Sequence, residues 1–377
     1  MAKLLQKLVF GISYLSNSVK AEVGTMAPNP SILPIFLPNL GCPERCIFCN
    51  QRTVAPRVPS PTEVRDFLQS SLVSGWSHRN HRERQVAFYG GSFTAIPRGE
   101  QIAYLRAVGR FLSSDRIDSI RVSTRPDTLD EEELSLLKAY GVKTVEIGAQ
   151  SMVDEVLDLS RRGHTAEETV SAVTRLKRWG FEVGVHLMIG LPGDSMSRFL
   201  ETLDRVILVK PDFLRIHPTL VLQGAPLEML WRDGKYSPMT LEEAIQWIKR
   251  GLVKLEKASI PIARIGLQTT KELEASYLAG PYHPALHQLV QSEIFFDRAV
   301  DLFKTHPTEL EPIFFCHPRE VSNVRGQKNR NLDRLIALFG LRSISIQGRE
   351  DVPKGALVLQ TQIGEVSWRG KDLYDQI

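Results

Sequence analysis

Three of the four cysteines lie within eight residues, in the segment Gly41-Cys42-Pro43-Glu44-Arg45-Cys46-Ile47-Phe48-Cys49; the fourth, Cys316, is remote. The spacing is C-x3-C-x2-C. Clustered thiols in an otherwise cysteine-poor chain point to ligands or redox groups in a reducing compartment, so a cytoplasmic protein is expected. Two metal chemistries suit the spacing. Zinc would take the three thiolates with Cys316 or a histidine as fourth ligand. An iron–sulfur cluster would be held at three corners, leaving one iron open to a substrate or cofactor. Three unconnected buried thiols are the remaining reading.

Further polar motifs recur along the chain. Phe88-Tyr89-Gly90-Gly91-Ser92-Phe93 carries two glycines that let backbone approach closely. Ser123-Thr124-Arg125-Pro126-Asp127 reads as a polar loop before an acid-started helix. Gly148-Ala149-Gln150-Ser151 is followed by Ser160-Arg161-Arg162-Gly163-His164-Thr165. His186-Leu187-Met188-Ile189-Gly190-Leu191-Pro192-Gly193 leads to a helix expected to be capped by Asp194. His217-Pro218-Thr219-Leu220-Val221 and Gly280-Pro281-Tyr282-His283-Pro284 come later.

The elements that must position these residues alternate. Strands are expected at 32–37, 85–90, 119–125, 142–149, 183–190 and 213–218, with a less regular one at 261–267. Several are near-continuous apolar runs, which suits a parallel sheet buried on both faces. Helices fall between them: one capped by Ser60 with Pro61 at its first position, then 98–112, 129–140, 166–179 and 195–209. Six strand–helix repeats give an α/β fold with a partial barrel of about six units. Each motif above then ends a strand, where such barrels build their active sites.

Together these motifs resemble the radical S-adenosylmethionine (SAM) superfamily, over about residues 32–295. The resemblance implies a TIM-like partial (β/α)6 barrel, with a 4Fe-4S cluster on Cys42, Cys46 and Cys49 and with Phe48 near the adenine of SAM. It implies that the amino and carboxylate groups of SAM chelate the free iron. One electron, from a donor such as flavodoxin or ferredoxin, then cleaves the sulfonium to methionine and a 5′-deoxyadenosyl radical. Gly90, Gly91 and Ser92 occupy the place of a Gly-Gly-Glu-like motif that binds the amino group, with serine replacing the acid. Ser123 stands where related proteins carry an acid before Thr124, facing SAM. Gln150 and Arg162 match residues that contact SAM in the oxygen-independent coproporphyrinogen oxidase type. That type has an acid at the position of His186, reaching the ribose, whereas the elongator catalytic subunit has histidine. Gly190 belongs to the same strand-end motif. The balance favours the elongator type, and with it RNA, notably tRNA, as substrate. Two departures stand: this cysteine loop is shorter, and no acetyltransferase domain follows. A small-molecule or tetrapyrrole substrate is the alternative within enzymes; a non-catalytic iron–sulfur protein that binds nucleic acid is the alternative outside them.

After residue 260 the rhythm changes. A helix at 285–304 precedes a unit at 306–361 of β-α-α-β-β order: strand 312–316, a short helix from 318, a helix at 332–339, and strands at 342–347 and 355–360. This α+β unit resembles a K-homology fold, which clamps nucleic-acid backbone with a G-x-x-G loop. The corresponding residues are Gly326, Gln327, Lys328, Asn329 and Arg330, with asparagine, which tolerates the left-handed conformation, in place of the second glycine. Arg319, Arg325 and Arg334 add charge, as does the basic loop at 78–84. Cys316 is expected as a buried strand thiol.

Composition bounds the rest. The 377 residues are 42% hydrophobic and 24% charged, with a net charge of +4, which excludes disorder and a disulfide scaffold. No apolar run reaches the ~20 residues of a membrane span. Residues 1–30 form an extension in which Lys7 splits the apolar stretch; no small-residue cleavage pattern follows, and Met26 is an alternative start. Residues 362–377 form a tail.

Overall fold

The computed structural model describes residues 30–368 apart from 44–45, 52–54, 56, 75, 77–82, 115 and 307–309. The N-terminal extension up to residue 29, most of the basic loop at 78–84 and the end of the tail from 369 lie outside the described residues.

The strands are β1 (Ser31–Phe36), β2 (Arg84–Tyr89), β3 (Ser119–Thr124), β4 (Val142–Gln150), β5 (Glu182–Ile189), β6 (Phe213–Pro218), the two-residue β7 (Val221–Leu222) and β8 (Ile262–Ile265). All but β7 form one sheet in chain order, and every pairing in it is parallel. Parallel neighbours need a crossover, and helices supply it. The sheet ends at β1 and β8, giving the open partial barrel expected, with the 261–267 segment as its seventh strand. β7 pairs instead with β9 (Tyr277–Ala279), antiparallel.

Local chemistry explains where the helices begin. In α1 (Pro61–Val73), Ser60 and Glu63 form a capping box behind a proline at the first position. α2 (Arg98–Leu112) follows β2, and α3 (Glu131–Ala139) is capped by Asp130. α4 (Asp154–Leu159) precedes α5 (Ala166–Arg178), which opens on a Thr165–Glu168 capping box. α6 (Met196–Val209) is capped by Ser195, whose hydroxyl accepts from Arg198 N. The cap expected of Asp194 is thus corrected by one residue. Its carboxylate instead accepts from the amides of Gly190 and Ser195 and closes the turn. α7 (Pro226–Arg232), α8 (Leu241–Lys257) and α9 (Lys271–Ser276) complete the barrel region.

The sheet's two faces differ. Val86, Phe88, Ile120, Val122, Val145, Ile147, Val183, Val185, Leu214 and Ile216 are fully or almost fully buried in the main core. Alternation along each strand sends the residues between them to the inner face. That face carries Tyr89, Arg121, Ser123, Glu146, His186, Arg215, His217 and Arg264. The strands expected to be buried on both faces are apolar on one face only; the other carries polar and charged side chains, of which Arg121 and Glu146 are buried.

The twenty-residue α10 (Leu286–Thr305) serves two cores. Leu286, Val290 and Ile294 belong to the main one, Phe295, Ala299, Leu302 and Phe303 to a second. The second core is closed by β10 (Ile313–Cys316), α11 (Val321–Arg325), α12 (Arg330–Phe339), β11 (Ser345–Gly348), β12 (Leu357–Thr361) and β13 (Gly364–Ser367). The sheet order is β11-β10-β12-β13, with β10 and β11 parallel. The β-α-α-β-β order is present, and β13 adds a strand that sequence reasoning left in the tail.

Candidate functional site

The cysteine loop leaves β1 and packs on the turn that follows β2. Asn39 N donates to Gly90 O (3.1 Å) and Ser92 N to Leu40 O (2.9 Å). A Cβ on Gly91 would lie 2.1 Å from Leu40 O, and one on Gly41, itself at φ +73°, 2.2 Å from Ser92 O. Both glycines are therefore required where the two turns interlock. Ser92 and Thr124 share a hydrogen bond of 3.0 Å, and Thr124 also meets Thr94. Their side chains are buried and committed to each other, so they brace the site. Ser123 alternates with Thr124 and lies on the inner face.

Cys46 is buried, while Cys42 and Cys49 are half-buried. Burial pushes the Cys49 thiol up to about 11, Cys46 and Cys42 adding to it against the opposing Asn39 amide. Burial and Cys46 likewise raise Cys42. The distal part of the loop is clamped: Ile47 N donates to Ser160 O (3.2 Å), and Ile47 O accepts from Leu227 N (2.8 Å). Phe48 packs against the buried cluster of Ile47, Val221, Leu227 and Tyr236.

Arg162 ties this loop to β4. Its Nη1 lies 2.8 Å from Cys46 Sγ, its Nη2 donates to Gly148 O (2.5 Å), and its Nε is buried without a hydrogen-bond partner. Beside it, β4 breaks register between Ile147 and Gln150, and Gln150 takes φ +68°. A non-glycine residue in that region is a strained feature of the kind that collects at functional sites. Gln150 Nε2 lies over Gly148, 3.0 Å from where a Cβ would be. The structure thus brings Cys46, Gln150 and Arg162 together.

Arg125 and Asp127 hold Arg162 in place. Arg125 donates to the carbonyls of Arg162 (2.6 Å) and Gly163 (3.1 Å), and it pairs with Asp127 through two hydrogen bonds. His164 Nε2 sits 3.3 Å from Ala149 O. Burial, with Arg162 and Arg125 nearby, pushes this imidazole down to about 4. Gly190 turns at φ +73° under Met239, and its carbonyl accepts from Tyr236 Oη (2.7 Å). Burial raises the neighbouring Asp194 to about 6.

Below the strand ends lies a charged constellation that sequence reasoning missed, His186 excepted. Glu146 is wholly buried and meets Arg121 (2.6 Å), Arg215 (3.0 Å), Tyr89 Oη (3.0 Å) and His186 Nε2 (3.2 Å). Burial alone would raise its carboxyl; Arg215, His186 and Arg121 outweigh that and hold it well below the usual range. Burial pushes Tyr89 up to about 12 and lowers both His186 and His217, whose rings are 5.0 Å apart. The available signal was single polar letters between apolar neighbours in β4 and β6.

Cys316 is wholly buried in β10 within the second core, and burial raises its thiol to about 11. This placement removes it as the fourth ligand of a zinc site on the cysteine loop. Around the other loop, Lys328 (φ +52°) and Asn329 (φ +63°) are left-handed, as Gly326 is (φ +72°). Gln327, Lys328, Asn329 and Arg330 are exposed.

Among the described residues, no three His, Cys, Asp or Glu side chains are drawn together as a metal site. The donor set nevertheless fits a cluster. Cys46 raises the pKa of both neighbouring thiols, a repulsion between sulfurs that iron would relieve. A guanidinium with a free buried Nε stands at that central thiol.

Residues 37–206 match the Radical SAM superfamily, and residues 211–295 match the Radical_SAM C-terminal domain. The chain belongs to the radical SAM superfamily and is an enzyme of that class. It is similar to the tRNA uridine(34) acetyltransferase of Methanocaldococcus jannaschii, with 37% identity over 136 residues, 35% of this chain and 25% of that protein. Elongator complex protein 3 of Mus musculus is 29% identical over 208 residues, 49% of this chain and 38% of its own. An uncharacterized M. jannaschii protein is 27% identical over 54% of this chain and 65% of its own. The chain thus spans from 25% to 65% of the length of these relatives. The solved structure of the archaeal Elp3 of Methanocaldococcus infernus, with an N-terminal deletion, shares the fold at a TM-score of 0.53. That match has 23% identity and covers 70% of this chain and 63% of that one.

Proposed function

We propose that this enzyme binds a 4Fe-4S cluster through Cys42, Cys46 and Cys49, cleaves SAM reductively and modifies RNA, with tRNA as the substrate class. The observation that carries the first part is Arg162, which spans from the central thiol to the carbonyl of Gly148 beside the strained Gln150. When bound, the two cofactors would supply one-electron cleavage of the sulfonium and a 5′-deoxyadenosyl radical. The chain's own part is positional. Arg162 offers cationic charge to the Cys46 sulfur, and Arg125 with Asp127 fixes Arg162. Gln150 stands over Gly148 beside Arg162, and Ser123 lies on the neighbouring β3; both, with Phe48, would contact SAM.

The RNA part is supported by the relatives named for tRNA uridine modification and by the Gly326–Arg330 loop between α11 and α12. Arg319, Arg325, Lys328 and Arg330 are all exposed there. A one-electron donor of the flavodoxin or ferredoxin kind would serve the cluster. The test is anaerobic reconstitution followed by RNA binding. Iron and sulfide should appear in the ratio of a 4Fe-4S cluster, and tRNA should bind in preference to double-stranded DNA. Comparison of modified nucleosides in tRNA with and without the gene should show one difference. An unchanged nucleoside profile would overturn the RNA assignment and leave a small-molecule substrate.

A further inference from the structure

The inner face holds more positive charge than its one fully buried acid balances. His186 on β5 is in register with Arg215 on β6, and Arg215 with Arg264 on β8. Two guanidiniums, Arg215 and Arg264, therefore stand opposite each other on paired strands, with His186, whose ring burial keeps neutral, next in the row. Like charges directly opposite each other on paired strands repel. Glu146 is already shared by Arg121, Arg215 and His186, and Glu182 lies 3.7 Å from Arg121 alone. Arg264 has no carboxylate within salt-bridge distance among the described residues; it reaches Gln268 Oε1 at 3.3 Å. Burial, and then Arg215, lowers its pKa. Nε of Arg215 and Nε2 of His217 are also buried without a hydrogen-bond partner. Orphaned groups gathered round an uncompensated cation are a prepared place for a ligand of opposite charge.

We propose that this floor is an oxyanion site: Arg215, Arg264 and His217 receive a carboxylate or phosphate group of the molecule that the enzyme modifies. The planar guanidinium forks match either oxyanion. The placement suits a substrate anchor. Glu146 and Gly148 are successive inner-face residues of β4, about 7 Å apart along the strand. Gly148 O holds Arg162 against Cys46, so a group bound at the floor would present the rest of its molecule to the cysteine loop. The inference rests on reading that loop as the reaction site.

The test uses the full chain, before and after cluster reconstitution. Inorganic phosphate and succinate are titrated separately at constant ionic strength against chloride, by melting temperature and calorimetry. One of them should raise the melting temperature over a millimolar range, and the better of the two identifies the class. Arg264→Gln should weaken that affinity by at least about tenfold while melting no lower than wild type without the anion, because it removes the guanidinium set opposite Arg215. Lys304→Ala, an exposed position of α10, should bind as wild type does. A folded Arg264→Gln protein of unchanged affinity, or no response to either anion beyond chloride, would overturn the proposal. Because anion binding is read without the cluster, a normal anion response in a chain that cleaves no SAM would sink the cluster assignment alone.

Discussion

At the scale of residues, the site turns on Arg162 and what steadies it. Its contact with Cys46 is a bidentate span that lysine cannot reproduce. Arg162→Lys should lose roughly 10–100-fold in iron affinity, read as iron retained per chain against a chelator after reconstitution. His164 supplies a pH signature. Its folded pKa of about 4 lies below the ordinary 6.5, so the folded chain favours the neutral ring. The stabilisation is present above pH 6.5 and is lost as pH falls from there towards 4, by at most about 3 kcal/mol. His164→Gln should flatten the melting temperature across that window; a slope identical to wild type would show that His164 does not carry it. Gln150 and Arg162 were singled out only through the family resemblance of their motifs; the structure adds that they stand together beside Cys46. Arg125 was legible as part of a motif, but not as the brace of Arg162, since that link joins residues 37 apart in sequence.

At the scale of elements, two turns must interlock for the thiols to be presented at all. Gly91→Ala would drive a methyl group to 2.1 Å from Leu40 O, and backbone on both sides leaves little room to yield. A loss of roughly 2–3 kcal/mol is expected, with lower iron uptake, measured by denaturant midpoint and iron content. The seven strands of the main sheet were legible to within two residues, because apolar runs bounded by polar turns are a strong signal; the short β7 and β9 were not. Which face of each strand is the polar inner one was not legible either. A glutamate in V-E-I, or an arginine in L-R-I-H, looks like an exception in a buried strand. The parallel pairing and the bend of the sheet are what align Glu146, His186, Arg215 and Arg264 on one side.

At the scale of the whole molecule, one long helix joins a chemical unit to a small unit with an exposed basic loop. Replacing Lys328 and Arg330 together by alanine should weaken tRNA binding, with iron content unchanged. The salt dependence of binding should become shallower by about one unit of slope for each phosphate no longer neutralised. An unaltered slope would place RNA elsewhere on the surface. The order of this small unit was readable from its punctuation, but β13 was not, because Gly364–Ser367 is mostly exposed and lacks apolar alternation.

If three thiols from one loop serve SAM chemistry, cofactor cleavage must depend on them. Reconstituted wild-type protein, given SAM and dithionite without oxygen, should release 5′-deoxyadenosine, and Cys46→Ala treated identically should release none. Equal release from both proteins, or none from a wild-type chain shown to carry its iron and sulfide, would contradict the account.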